Sequence, residues 1–222
     1  MEYNIWILLA LFYIYSIVGW MVEIIYIYVR TGKIVDRGFM IGPYCPIYGV
    51  GCIIMILLLS KYRDDIPALF IMSAFTCGTL EYITSYIMEK LFKTRWWDYS
   101  FRKYNINGRI CLETLVYFGL GAVIILNIVN PFVINIMNSI SFSIIRVFVI
   151  IVSIIFVTDF FVSFKIIFNV KKVSSIVKKD STEEMSRSVK EVLFNKSKLY
   201  QRLAKAFPDF ITMKGKIKDD EN

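Results

Sequence analysis

Apolar residues in this chain fall in long unbroken runs, not in the alternation of half-buried strands. A helix that crosses the hydrocarbon core of a bilayer needs about 20 residues, with a range of roughly 17–25. Five runs meet that length or come close to it, at residues 5–28, 44–59, 66–91, 110–128 and 147–168. The second is the shortest, and Pro43 and Pro46 open it; proline is tolerated in a first helical turn but not in a helix interior. A further apolar stretch, 128–145, is interrupted by Asn130, Pro131, Asn135, Asn138 and several serines. It reads as an interfacial or re-entrant helix, or as a pair of short ones. The first run contains Glu23 and is longer than the apolar core of a cleaved leader, so we expect it to be retained. The pattern predicts an all-α, polytopic integral membrane protein with about five transmembrane helices in residues 1–170.

Residues 171–222 follow a different pattern. Lys171, Lys172, Lys178 and Lys179 form a polybasic strip suited to anionic lipid headgroups, worth about 1 kcal/mol per charge near the surface. Ser181 and Glu184 have the spacing of a capping box. Met185, Val189, Val192, Leu193, Tyr200, Leu203 and Phe207 then recur at helical spacing, with Arg187, Lys190, Arg202 and Lys205 elsewhere around the wheel. This predicts a cytoplasmic amphipathic helix that lies on the membrane surface or docks a partner. No base-reading motif accompanies it, so nucleic acid is not an expected partner.

Charge orients the chain. Of 26 Lys and Arg, 14 lie from Lys165 onward. Assigning the connections alternately to the two sides of a membrane places 23 basic residues on one side and 3 on the other. The positive-inside bias therefore predicts a multi-pass protein of the plasma membrane with its N-terminus outside and its C-terminus in the cytoplasm.

Composition removes several chemistries. There is no His, which excludes imidazole metal ligands and Ser–His or Cys–His catalysis. Cys45, Cys52, Cys77 and Cys111 form no C-x-x-C pair, and no G-x-x-x-x-G-K-[ST] loop occurs. The chain is expected to hold no metal and no cofactor and not to be an enzyme.

What remains is acidic residues inside the spans. Glu23, Glu81, Glu89, Glu113 and Asp159 all fall within the predicted helices, where a central charge costs about 2.5–3.5 kcal/mol on insertion scales. Ser16, Gly19, Glu23, Tyr26 and Arg30 share one helix face; so do Gly78, Glu81, Ser85 and Glu89, and Asp159 with Ser163. These stripes should converge on a polar seam that opens to the cytoplasm. Three readings stay open there: interhelical clamps made with Arg30, Arg37, Arg95 and Arg109, a solute or ion pathway, and a pair of carboxylates working as acid and base. Arg37 and Tyr44 are further candidates for polar contact. Asp98 could belong to a lid over the seam, and Trp96 and Trp97 suit anchors at the membrane interface.

Several strings recur together: G-W-x-x-E (Gly19, Trp20, Glu23), R-G-F-x-x-G-P-x-x-P-I-Y-G-x-G from Arg37, E-Y-x-T-S-x-x-M-E-K-L-F from Glu81, R-W-W-D-Y-S from Arg95, and N-x-N-G-R-I-C-L from Asn105. In this combination, over roughly residues 16–121, the chain resembles the bacterial CmpB family, whose members are labelled ABC-transporter permeases of type IV. Asp36 departs from the Asn expected before R-G-F. The resemblance implies a transport-related membrane subunit that works as a homo-oligomer, with a separate ATPase subunit, or both, since no nucleotide-binding loop is encoded. The alternative is a non-transporting scaffold or regulator that recruits a partner through the basic tail. An intramembrane hydrolase ranks last, because no tight nucleophile motif is present.

Overall fold

The computed structural model describes residues 4–34, 38, 40–92, 94–176 and 211–212. The predicted tail helix over 181–207 lies outside the described residues, as does Arg37. Among the described residues there are six α-helices: α1 (Ile5–Thr31), α2 (Pro46–Leu59), α3 (Ile66–Phe92), α4 (Leu112–Ile124), α5 (Asn130–Asn138) and α6 (Phe142–Ile176). Four two-residue strands pair antiparallel, β1 (Thr94–Arg95) with β4 (Ile211–Thr212) and β2 (Asn105–Ile106) with β3 (Ile110–Cys111). The protein is all-α and membrane-like. Among the described residues four helices are long and apolar enough to cross a bilayer, Ile5–Thr31, Ile66–Phe92, Leu112–Asn138 and Phe142–Lys165, and Pro46–Tyr62 is a shorter apolar helix.

The helices run alternately up and down. Arg30 of α1 meets Glu113 at the start of α4, and Arg63, after α2, meets Asn127 near the far end of α4. One end of the bundle thus carries residues 60–65 and 139–141 and can be called the Arg63 end. The other carries residues 32–34 and 94–111 and can be called the Arg109 end. The main apolar core, with Leu11, Tyr15, Ile56, Leu69, Leu126 and Val149, fills the half nearer Arg63. The polar side chains described below lie in the other half.

Asn4 caps α1 by accepting the Trp6 amide at 3.0 Å. Gly32 ends it in the left-handed region, φ 67°, a conformation that costs glycine nothing. From here the chain does not start a second helix at the same level. The Cys45 amide donates to the Ser16 carbonyl at 2.8 Å, so α2 begins beside the middle of α1. Fifteen residues of helical rise, about 22 Å, separate Ser16 from Thr31. Residues 40–45 therefore lie inside the bundle, and α2 runs from mid-depth to the Arg63 end. This accounts for the shortness of the apolar run at 44–59. Two glycines allow the close crossing of α1 and α2: a Cβ on Gly19 would overlap the Tyr48 ring, and one on Gly49 would overlap Ser16 Oγ and the Phe12 carbonyl.

The interrupted stretch at 128–145 is not a separate element. Residues 128–138 continue the fourth long helix, and α6 starts at Phe142, earlier than position 147. Pro131 supplies the physical reason. It lacks an N–H, and its ring would collide with the carbonyl four residues back, that of Asn127. A π-turn over Ile125–Val129 widens the helix there, with the Asn130 amide on the Ile125 carbonyl. The Asn127 carbonyl, left without its helical donor, accepts from Arg63 Nη2 at 3.4 Å. The buried Asn130 side chain accepts from Tyr15 at 3.0 Å.

Candidate functional site

Five carboxylates lie in the predicted spans, and the structure sorts them by what neutralises them. Asp159, on α6, is held by hydrogen bonds alone. Its Oδ1 accepts from the Ile41 amide at 3.1 Å and Ser163 Oγ at 2.8 Å, and its Oδ2 accepts from the Gly42 amide at 2.7 Å and the Tyr44 hydroxyl at 2.5 Å. Ser163 also accepts from the Ile41 amide at 3.1 Å. Four donors saturate the carboxylate, and the dipping segment 40–44 is thereby tied to α6. Asp159 and Tyr44 are partners of each other and of the main chain.

Glu89 sits at the Arg109 end of α3 and is paired with cations. Its Oε2 lies 2.5 Å from Arg109 Nη1 and 3.2 Å from Arg95 Nε, and Arg95 Nη1 continues to Asp98 Oδ1 at 3.3 Å. Arg109 also reaches Ser85 Oγ at 3.4 Å and stacks over the rings of Tyr82 and Tyr86. This network fastens residues 94–111 under the helices. Within that segment Asn107 and Gly108 both have positive φ, 51° and 65°, and the Arg109 amide closes an Asn-Gly turn on the Ile106 carbonyl. Asp98 accepts from the amide and hydroxyl of Ser100 and so shapes the same segment. Trp96 is buried against Phe92, and the Trp97 indole donates to the Arg109 carbonyl at 3.1 Å. Both rings pack the segment onto α3 and α6, beside Met88, Phe92 and Phe164.

Glu113 is on the rim. It pairs with Arg30 at 3.3 Å and Arg102 at 3.0 Å and accepts from Tyr117 at 3.0 Å. Arg109, four residues before it, turns to Glu89 instead.

Glu23 and Glu81 differ from these three. Glu23 Oε1 accepts from the Tyr48 hydroxyl at 2.5 Å, and Glu81 Oε1 accepts from the Tyr99 hydroxyl at 3.3 Å. Neither forms an ion pair among the described residues. Glu81 is 9% exposed, and its Oε2 is buried with no hydrogen-bond partner. Tyr99, in the segment beneath the helices, feels both carboxylates. Burial first, then the charges of Glu81 and Glu23, pushes its phenol above the ordinary range, so it stays protonated and donates. The two acids, one from α1 and one from α3, thus share a partly enclosed polar cluster, with Tyr48 from α2 and Tyr99 as its donors. Sequence reasoning missed both tyrosines as site residues. They stand inside the P-I-Y-G and W-W-D-Y-S strings, and the signal available was the need of a buried acid for a donor.

Comparison with known proteins agrees with the membrane architecture. The family model ABC_trans_CmpB, described as "Putative ABC-transporter type IV", matches residues 10–164, more than half of the chain and all the side chains of this cluster. No curated protein and no solved structure matches the chain.

Proposed function

The chain belongs to this CmpB-type ABC-transporter family and is a multi-pass, transport-related membrane protein; from that premise we propose that the Glu23–Glu81 cluster lies on the route of the transported solute or ion. The observation that carries this is the contrast among the carboxylates. Glu89 and Glu113 are paired with arginines and Asp159 is saturated by four hydrogen-bond donors, whereas Glu23 and Glu81 each accept a single tyrosine hydroxyl and pair with no cation among the described residues. An intramembrane acid with no compensating partner is a functional group by default. Arg30, Lys33, Arg95, Arg102, Lys103 and Arg109 gather at the end where the cluster opens, so on the positive-inside bias that end faces the cytoplasm.

In this reading the protein is a non-enzymatic permease subunit, and hydrolysis of ATP is the work of a separate chain. The test is purification of the full chain in mild detergent, followed by assay of ATP hydrolysis. An associated ATPase whose turnover changes in Glu81→Gln supports the permease reading; a pure, folded chain with no hydrolysis in any preparation refutes it. One observation favours a second reading, a scaffold or regulator: three of the five acids act as internal fastenings. That reading expects truncation after Lys172 to abolish function and Glu81→Gln to leave it intact.

A further inference from the structure

Glu81 and Glu89 stand two turns apart on the same face of α3, yet the fold treats them oppositely. Glu89 receives two guanidinium groups. Glu81 receives one phenol, on Oε1, and nothing on Oε2, although both are buried. An ionised carboxylate held in low dielectric without a counter-charge is neutralised in practice by taking up a proton. A second acid nearby strengthens that demand, because two close carboxylates cannot both ionise freely. Glu23 reaches the same cluster: its charge, with that of Glu81, acts on the Tyr99 phenol.

We propose that Glu81, with Glu23, Tyr48 and Tyr99, forms a proton-binding site in which one proton is held on Glu81 Oε2. This rests on the transport reading only for its purpose, which would be to couple proton uptake to the movement of solute. The surroundings favour a proton over a metal cation. The tyrosine hydroxyls point their hydrogens at both Oε1 atoms and so use the oxygens a metal would need. Among the described residues no three His, Cys, Asp or Glu side chains stand together to hold a metal ion. Hard cations take six or more oxygens.

Other titratable groups face the site from each packed element, and none supplies a positive charge to Glu81. From α1 comes Glu23, and from α2 Tyr48, with Cys45 at its cap. Along α3 lie Cys77, one turn before, and Glu89, already paired with Arg109 and Arg95. From the segment beneath come Tyr99 and Arg109, and at the start of α4 stands Cys111. On α6, Asp159 is saturated by residues 41–44 and Ser163.

The experiment is infrared spectroscopy of the full chain in vesicles of neutral and anionic phospholipid, with no solute and no partner subunit. At neutral pH the wild type should show the carbonyl stretch of a protonated carboxyl group. The band should shift when glutamate alone is isotopically labelled, disappear in Glu81→Gln, and change frequency in Tyr99→Phe, which removes the bond to Oε1. Absence of a glutamate-sensitive band at neutral pH overturns the proposal without requiring any variant to fold. So does a band that survives in folded Glu81→Gln, or one abolished by sodium, potassium or magnesium, which would assign the site to a metal cation. The assay involves no ATPase, so failure of this proposal and failure of the permease reading are separately visible.

Discussion

Replacing Asp159 with Asn isolates the contact that holds residues 40–44 inside the bundle. The amide keeps the shape of the carboxylate and one acceptor. Left on the Oδ1 side, that acceptor still serves the Ile41 amide and Ser163. The new NH2 then faces the Gly42 amide and the Tyr44 hydroxyl, both of which are donors in the native structure. Two hydrogen bonds to a charged group are lost, each worth about 1.5–3 kcal/mol, so the segment is loosened by about 3–6 kcal/mol. Rotation of the Tyr44 hydroxyl to another acceptor brings the figure toward the lower end. Even about 3 kcal/mol raises the open population about a hundredfold, at about 1.4 kcal/mol per factor of ten. Cys45 closes the segment, is buried, and has its amide on Ser16. Its alkylation rate therefore reports opening, provided that reclosing is faster than the chemistry. Mass spectrometry of each cysteine gives the readout, with Cys52, buried in α2, as the internal reference. Asp159→Asn should accelerate Cys45 by about two decades or more and leave Cys52 unchanged. Equal protection of Cys45 in both proteins, with Cys52 also protected, would show that Asp159 does not hold the segment.

Other contacts make equally specific predictions. Gly49→Ala places a methyl group against Ser16 Oγ and the Phe12 carbonyl and should cost about 1–3 kcal/mol in detergent denaturation, whereas Gly121→Ala, with open space around its Cβ, should be neutral. Glu89→Ala leaves Arg109 and Arg95 without their shared acid and should cost about 3–5 kcal/mol, seen as faster proteolysis within residues 94–111. Pro131→Ala restores an amide to the Asn127 carbonyl, so Arg63→Ala should cost less in the Pro131→Ala background, where only its bond to Asn127 Oδ1 is lost, than in the wild type; additive costs would contradict the proline account of the π-turn.

The long helices were legible because burial in lipid leaves an unbroken apolar run, whereas the run at 44–59, the shortest of the five, was counted as a crossing and forms a shorter apolar helix. What periodicity could not convey was depth. The Ser16 carbonyl and the amides of Ile41 and Gly42 carry no sequence mark, so nothing in the residue string places the start of α2 halfway along α1. The acidic residues show the same limit. Helical spacing puts Glu81, Glu89 and Asp159 on inward faces, but a face does not name a partner. Glu89 meets arginines from a segment that folds under the helices, Asp159 meets main-chain amides from more than a hundred residues earlier, and Glu81 meets a single phenol. Asn130 and Pro131 looked like an interruption because the rule that proline ends a helix omits the alternative, a widened turn with an outside donor for the freed carbonyl.

The tie between Asp159 and the Gly42 amide spans 117 positions of chain. During synthesis, at about 5–20 residues per second, the main-chain donors of residues 41 and 42 wait about 6–23 s for their acceptor to be made. Over that interval the Cys45 amide on the Ser16 carbonyl already ties the segment to α1, and α6 adds the later tie to Asp159. A ribosome stalled before position 159 would therefore leave a nascent chain with every earlier helix complete and its central crossing still open to quality-control proteases.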